Sequence, residues 1–183
     1  MNEGVIPGRY AMALYKYADD KKATTTLYAQ AKSVEEAFVS HPKLQAALEN
    51  PVLKPAEKIA MLTSVVKSGK SEHYANFIKL VVEKRRETYI REIFLKYQQI
   101  YRKKNNIAQV VVITALRLPE EIIGKIKSLV LKKAEQEVEF VYKYDTSIIG
   151  GFILKVDSMQ LDASVARELK ELRLKLLKSD KTV

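Results

Sequence analysis

Up to residue 104 the apolar residues of this chain recur every three or four positions. From residue 107 they fall at every second position or in short unbroken runs. A helix repeats its faces every 3.6 residues and a strand every two, so a chain that shows both periods in succession predicts a helical part followed by a mixed part. The change falls at Asn105-Asn106, a turn-favouring pair directly after Arg102-Lys103-Lys104. Two domains are therefore expected, 1–105 and 106–183. Charge divides at the same place: the first part holds 19 Lys+Arg and 11 Asp+Glu, a net of +8, whereas the second holds 13 and 11, a net of +2.

In the first part, Tyr10, Ala13, Leu14, Tyr17 and Ala18 follow the i, i+3, i+4, i+7, i+8 spacing of an amphipathic helix. Leu27, Ala31, Val34 and Phe38 repeat it until His41-Pro42, where proline disfavours helical geometry in the residue before it. A short helix carries Leu44, Ala47 and Leu48. Pro55 suits the first turn of the next helix, which buries Ile59, Leu62, Val65 and Val66 before stopping at Ser68-Gly69. Ser71 starts a fifth helix with Tyr74, Phe77, Ile78, Val81 and Val82 on one face, and Ile90, Ile93, Phe94, Tyr97 and Tyr101 mark a sixth. Short connections make this a six-helix bundle.

The second part opens on Ile107 to Thr114, apolar on both faces as in a strand covered on both sides. Leu118-Pro119-Glu120-Glu121 starts a helix with proline and acids where the macrodipole favours them, and its expected buried stripe is Ile122, Ile126, Leu129 and Val130. Val138, Phe140, Tyr142 and Tyr144 alternate with polar residues as a half-buried strand, and Phe152, Leu154 and Val156 form a third. Asp162 and Ser164 precede a last helix with Val165, Leu169, Leu172 and Leu176 in register, and a frayed tail is expected from Lys178. The fold class is mainly α: a six-helix bundle followed by a small βαββα domain.

Catalytic chemistry finds little to draw on. The chain has no cysteine, which excludes thiolate nucleophiles and zinc ribbons, and its two histidines, His41 and His73, leave a multi-His metal site little to draw on. Neither a GxxxxGK[ST] nor a GxGxxG loop is present. The acid pairs Asp19-Asp20, Glu35-Glu36 and Glu120-Glu121 point about 100° apart on a helix, so none presents two carboxylates to one substrate. No catalytic residue, metal or cofactor is expected. The opening Met1-Asn2-Glu3-Gly4-Val5-Ile6-Pro7 lacks the basic start and apolar stretch of a signal peptide. The run Val110-Val111-Val112-Ile113 falls far short of the roughly 20 residues a membrane-crossing helix needs. An intracellular chain is expected, without direct membrane insertion.

The +10 formal charge admits one alternative, a basic RNA-binding module. Lys84-Arg85-Arg86, Arg91, Lys96 and Arg102-Lys103-Lys104 interleave with Tyr89, Tyr97 and Tyr101, so cations would meet phosphates while rings stack on bases. Against it, Tyr97 and Tyr101 belong to the apolar stripe. Gly151-Phe152 echoes an RNA-recognition strand, but Ile153-Leu154-Lys155-Val156 lacks the second aromatic. Nucleic acid is not the expected partner.

A family resemblance gathers the remaining motifs. Arg9-Tyr10-Ala11-Met12-Ala13-Leu14-Tyr15 resembles the opening helix of the delta subunit of F-type ATP synthases, the oligomycin-sensitivity-conferral protein of mitochondria. Pro51, Pro55 and Lys58, and Asn76-Phe77-Ile78-Lys79-Leu80-Val81, look like its middle helices. Asp145-Thr146-Ser147-Ile148-Ile149-Gly150-Gly151-Phe152-Ile153-Leu154, continuing to Asp162-Ala163-Ser164-Val165, resembles its C-terminal signature. The resemblance spans residues 7–178. Val156-Asp157-Ser158-Met159 departs from it where a glycine-bearing turn is expected.

The resemblance implies a non-catalytic stator subunit, one copy per complex, that joins the catalytic head to the peripheral stalk so that the head resists rotation during proton-driven ATP synthesis. Its N-terminal bundle would receive the N-terminal helix of an alpha subunit in a groove between the first and fifth helices. That is helix-in-groove recognition, which needs apolar walls rather than catalytic groups. Mapped here, the groove residues are Tyr10, Ala13, Leu14 and Tyr17 with Phe77, Ile78 and Val81. The C-terminal domain would engage the stalk's b subunits. Ile149, Gly150, Gly151, Asp162 and Ser164 are read as structural, with Asp162 or Ser164 capping the last helix. No transit peptide is visible, which favours a bacterial member at the cytoplasmic face of the inner membrane.

Overall fold

The computed structural model describes residues 4–66, 71–117, 119–133, 137–156 and 159–179. The chain separates into two compact units, Met1–Lys104 and Asn105–Val183. The boundary residue Asn106 takes a left-handed conformation (φ 54°), which asparagine tolerates because its short polar side chain bonds locally.

Six α-helices build the first unit among its described residues: α1 (Val5–Asp20), α2 (Thr24–Ser40), α3 (Lys43–Glu49), α4 (Pro55–Ser64), α5 (Glu72–Glu83) and α6 (Ile90–Lys104). Local chemistry sets several of their ends. Pro55 opens α4, where the Glu57 carboxylate accepts the Lys54 amide at 2.8 Å. Ser71 caps α5 by accepting the Tyr74 amide and donates its own hydroxyl proton to buried Gln30 of α2 at 2.8 Å. The basic last turn of α6, Arg102 to Lys104, suits the negative end of its macrodipole. The expected stop at Ser68-Gly69 lies outside the described residues.

α6 is the central helix, packed against α1 and α2. Its Ile90, Ile93, Phe94 and Tyr97 are essentially inaccessible, and Phe94 stacks on Tyr74 and meets Phe77 edge-on. Tyr97 donates to the Thr24 carbonyl at 3.0 Å, and Tyr101 stacks on Tyr28 with ring centroids 4.1 Å apart. Both rings are core, so neither is available to stack on a base. Tyr74, wholly buried, donates its hydroxyl proton to the Leu62 carbonyl at 2.7 Å, and burial drives its pKa far above the usual tyrosine value. Leu62 lies in the last turn of α4, where carbonyls lack a helical partner. Tyr74→Phe should therefore lower stability by about 1–2 kcal/mol, the cost of an orphaned buried acceptor, in urea unfolding. A cost below ~0.3 kcal/mol would mean that the Leu62 carbonyl does not need this donor.

The second unit contains β1 (Ile107–Thr114), α7 (Glu120–Lys133), β2 (Glu137–Tyr144), β3 (Gly151–Val156), β4 (Met159–Ser164) and α8 (Val165–Ser179). Its sheet has the order β2-β1-β3-β4, with β1 and β2 parallel across the α7 connection and the other neighbours antiparallel. β4 corrects the expected three-strand domain. Its polar Gln160, Asp162 and Ser164 look like an approach to a helix cap, yet they alternate with Met159, Leu161 and Ala163 along an edge strand. Val110 and Val112 are fully buried beneath Ile126 and Val130 of α7, with Val138, Phe140, Tyr142, Leu154 and Val156 packed around them.

Two further expectations change, and one apolar face is left bare. Val111 and Ile113, on the opposite face of β1, are only half-buried, so the strand is not sealed on both sides. Ile122 is 42 % exposed rather than part of the α7 stripe. Val165, Leu169 and Leu172 of α8 are 37–55 % exposed, since periodicity gives a helix an apolar face without supplying anything to cover it. The side chains of Leu129 and Leu176, residue Leu118, the turn at Asp157-Ser158 and the tail beyond Ser179 lie outside the described residues.

Candidate functional site

α1 has an apolar arc wider than its core contact. Pro7, Ala11, Leu14 and Ala18 are buried in the bundle, while Tyr10, Ala13 and Tyr17 lie beside them on an open flank. That flank and α5 form the two walls of a groove of about 720 Å³, lined on α1 by Ile6, Arg9, Tyr10, Ala13, Leu14 and Tyr17. The opposite wall is Asn76, Phe77 and Leu80, with Lys84 and Arg86 beyond the end of α5. At one end the Tyr17 hydroxyl and His73 Nδ1 lie 3.0 Å apart with their rings edge-to-face, tying the last turn of α1 to the first turn of α5. The two helices therefore run antiparallel along the groove, and Ile6 and Arg9 sit at the end where α5 finishes.

Five of the seven expected groove residues line this cavity: Tyr10, Ala13, Leu14, Tyr17 and Phe77. Ile78 and Val81 do not. Both are wholly buried in the bundle behind the wall, and Leu80, 45 % exposed, stands at the surface in their place. Leu80 is three positions from Phe77 and so lies beside it on the helix surface. Arg9, Lys84 and Arg86 were visible only as basic residues. What brings Arg86 back to the groove is the way α5 ends: the Arg85 and Arg86 amides bond the Val82 and Val81 carbonyls at 2.9 Å, with Arg85 in the left-handed region at φ 54°. This is the glycine-type helix stop made without glycine.

The residues around the Gly-Gly pair form a second constellation, in the C-terminal unit. Asp145 accepts the Ser147 amide at 2.9 Å and opens a 3-10 turn over Thr146–Ile148. Ile149 then adopts φ 67°, ψ −46°, a γ-turn closed by the Gly150 amide on the Ile148 carbonyl at 2.7 Å. The Gly150 carbonyl accepts the first amide of α8, from Val165, at 3.1 Å. Ser164 Oγ accepts the Arg167 amide at 3.3 Å as the cap of α8, and the Asp162 carboxylate accepts the Ser164 amide at 3.0 Å. Those bonds from Ser164 hold the Asp162 carboxyl below the usual carboxylate range. Replacing Ser164 by alanine should cost about 1 kcal/mol in urea unfolding, and an unchanged midpoint would remove the cap from the account.

Neither constellation is arranged for catalysis, and among the described residues no group of three or more acids or histidines is placed to hold a metal. His41 is exposed, and its ring nitrogen Nδ1 lies 3.3 Å from the Ala37 carbonyl. Among the described residues no helix is long and apolar enough to cross a membrane.

Comparison with known proteins gives the class first. The fold matches a chain in the cryo-EM structure of the Toxoplasma gondii mitochondrial ATP synthase hexamer, with a TM-score of 0.69 at 23 % identity over 93 % of this chain and 97 % of that one. A family model described as the ATP synthase delta (OSCP) subunit matches residues 6–176. The ATP synthase subunit delta of Phocaeicola vulgatus is 36 % identical over 181 residues, covering 98 % of each chain. That of Bacteroides thetaiotaomicron is 31 % identical over 185 residues, covering each chain fully. The chain belongs to the ATP synthase delta (OSCP) subunit family. It is a non-catalytic subunit of the ATP synthase, part of the peripheral stalk that serves as stator. The RNA-binding alternative finds no support.

Proposed function

We propose that the bundle of residues 1–105 holds the catalytic head by receiving the N-terminal helix of an alpha subunit between α1 and α5, while residues 106–183 hold the b subunits of the stalk. One copy per complex, at the cytoplasmic face of a bacterial inner membrane, then links head to stalk. The observation that carries this reading is the groove itself. Tyr10, Ala13, Leu14 and Tyr17 face Phe77 and Leu80 across a space no side chain of the bundle fills. Ile78 and Val81, buried behind it, serve as the packed floor that keeps α5 in position. Small Ala13 between two tyrosines lets a guest backbone come close, and the tyrosines supply large contact area at low entropic cost. A stator subunit must transmit torque without chemistry, which is what rigid apolar docking provides.

α8 favours the second contact. Val165, Leu169 and Leu172 follow a four-then-three spacing and are exposed along one side, the seam of a helix awaiting another helix. Titration of the full chain with a synthetic alpha-subunit N-terminal helix should give a Kd on the order of 10 µM or tighter, about −7 kcal/mol. Ala13→Glu should weaken it at least tenfold while leaving the thermal melt unchanged. Absence of binding at that concentration would overturn the groove reading. Leu169→Glu with Leu172→Glu should abolish co-purification with the b subunits and leave peptide binding intact.

A further inference from the structure

The groove is not symmetric in charge. Its ionisable lining residues other than tyrosine are Arg9, Lys84 and Arg86, and all three gather at the end where α1 begins and α5 stops. All are exposed, and none pairs with a carboxylate among the described residues. The one acid in that turn, Glu83, is not part of the lining. The far end is closed by the Tyr17–His73 contact, and neither Lys nor Arg lines it. Helix dipoles do not alter this picture: the positive end of α1 and the negative end of α5 meet at the basic end and offset one another. The sign of the field there is set by the three side chains.

We infer that the groove is a polarised cradle: it selects an amphipathic helix bearing carboxylates at one end, and seats that end over Arg9, Lys84 and Arg86, so that charge fixes the direction in which the guest lies. This deepens the proposed reading of the groove as a helix-binding site and rests on it. An apolar groove between antiparallel helices accepts a guest in either direction with similar burial, so apolar contact alone leaves direction undetermined. A guest's own dipole presents about half a charge at each end, whereas each side-chain carboxylate presents a full one. Two acids in one turn therefore override the dipole, whichever end of the guest they occupy. The guanidinium groups add geometry to charge, because a planar fork can grip a carboxylate through two parallel bonds. Arg86 reaches this position only because the left-handed residue Arg85 turns the chain back across the end of α5.

The test uses the full chain and two synthetic 20-residue amphipathic peptides of identical composition. Each has leucines at i, i+3, i+4 and i+7 and a nitroxide at its N-terminus; one carries two glutamates in its first turn, the other in its last. Paramagnetic broadening should strike the amides of Ile6, Arg9 and Lys84 with the first peptide, and those of Tyr17 and His73 with the second. Lys84→Ser with Arg86→Gln should weaken both peptides about tenfold at low ionic strength, and the difference should vanish at about 1 M salt, where screening acts within roughly 3 Å. Arg9→Gln, on the other wall, should reproduce part of the loss, which guards against a local effect of the double substitution on the end of α5. Broadening at the same end for both peptides overturns the inference, as does affinity indifferent to all three substitutions, and in either case the groove still binds helices. Failure of both peptides to bind overturns the inference together with the reading on which it rests.

Discussion

Replacing Gly151 by alanine is expected to unfold the C-terminal unit or leave it barely stable. An added Cβ would lie 2.1 Å from the Ala163 carbonyl oxygen, 3.2 Å from its carbon and 3.3 Å from the Ser164 Cα. All three are backbone atoms of β4, from Ser164, the ladder partner of Gly151, and from Ala163 beside it, so no rotamer change relieves the clash. The residue also sits at φ +73°, a region that side chains other than glycine enter at a cost of about 1–2 kcal/mol. Together these place the loss at roughly 4 kcal/mol or more, most of the stability of a small domain. Gly150→Ala is the control. Its Cβ would meet the Val165 Cγ2 at 3.2 Å, the tip of a side chain that can move, and should cost less than about 1 kcal/mol. Amide signals of residues 107–164 should lose dispersion in Gly151→Ala while those of α1 to α6 keep theirs. Wild-type dispersion in that variant would show that β3 and β4 tolerate separation.

The second large effect lies in the helical unit. Lys58 of α4 donates to Glu87 at 2.7 Å, and the two side chains are only 7 % and 13 % exposed. Among the described residues Glu87 Oε2 has no hydrogen-bond partner of its own. Lys58→Ala would strand a carboxylate inside the bundle and should cost about 3–5 kcal/mol. Replacing both residues at once, Lys58→Met with Glu87→Leu, should cost little or stabilise, because the desolvation of two charges disappears with their attraction. The exposed pair Lys125–Glu121, at 70 % and 78 %, gives the contrast: Lys125→Ala should change stability by no more than about 0.5 kcal/mol. Urea unfolding of the three variants reads all of this. A double replacement as damaging as Lys58→Ala would show that the pair is needed for its polarity.

Where the sequence could be read correctly, the cause was local. Pro55 and Ser71 act through their own backbone chemistry, and Tyr97 and Tyr101 declared themselves core by falling on one stripe. What could not be read depends on partners distant in the chain. Gln160, Asp162 and Ser164 form a strand only because β3 pairs with them, and Ser164 is at once the last residue of that strand and the cap of the helix after it. On α5, Phe77, Ile78, Leu80 and Val81 are all apolar. Which of them faces the groove is a rotation of about 100° per residue that the pattern leaves open until α1 is in place. The same holds for Lys84-Arg85-Arg86, which reads as a charge run until the helix stop turns Arg86 toward the groove.

The uncovered leucines of α8 also bear on how such a subunit survives before it is assembled. With Leu169, Leu172 and Leu174 between 49 % and 55 % exposed, a newly made chain presents a surface that other unfinished chains and quality-control proteases will bind. Its lifetime outside a complex is then set by how soon another helix reaches that side. Supply of the partner, more than the intrinsic stability of either unit, would govern how much of it accumulates.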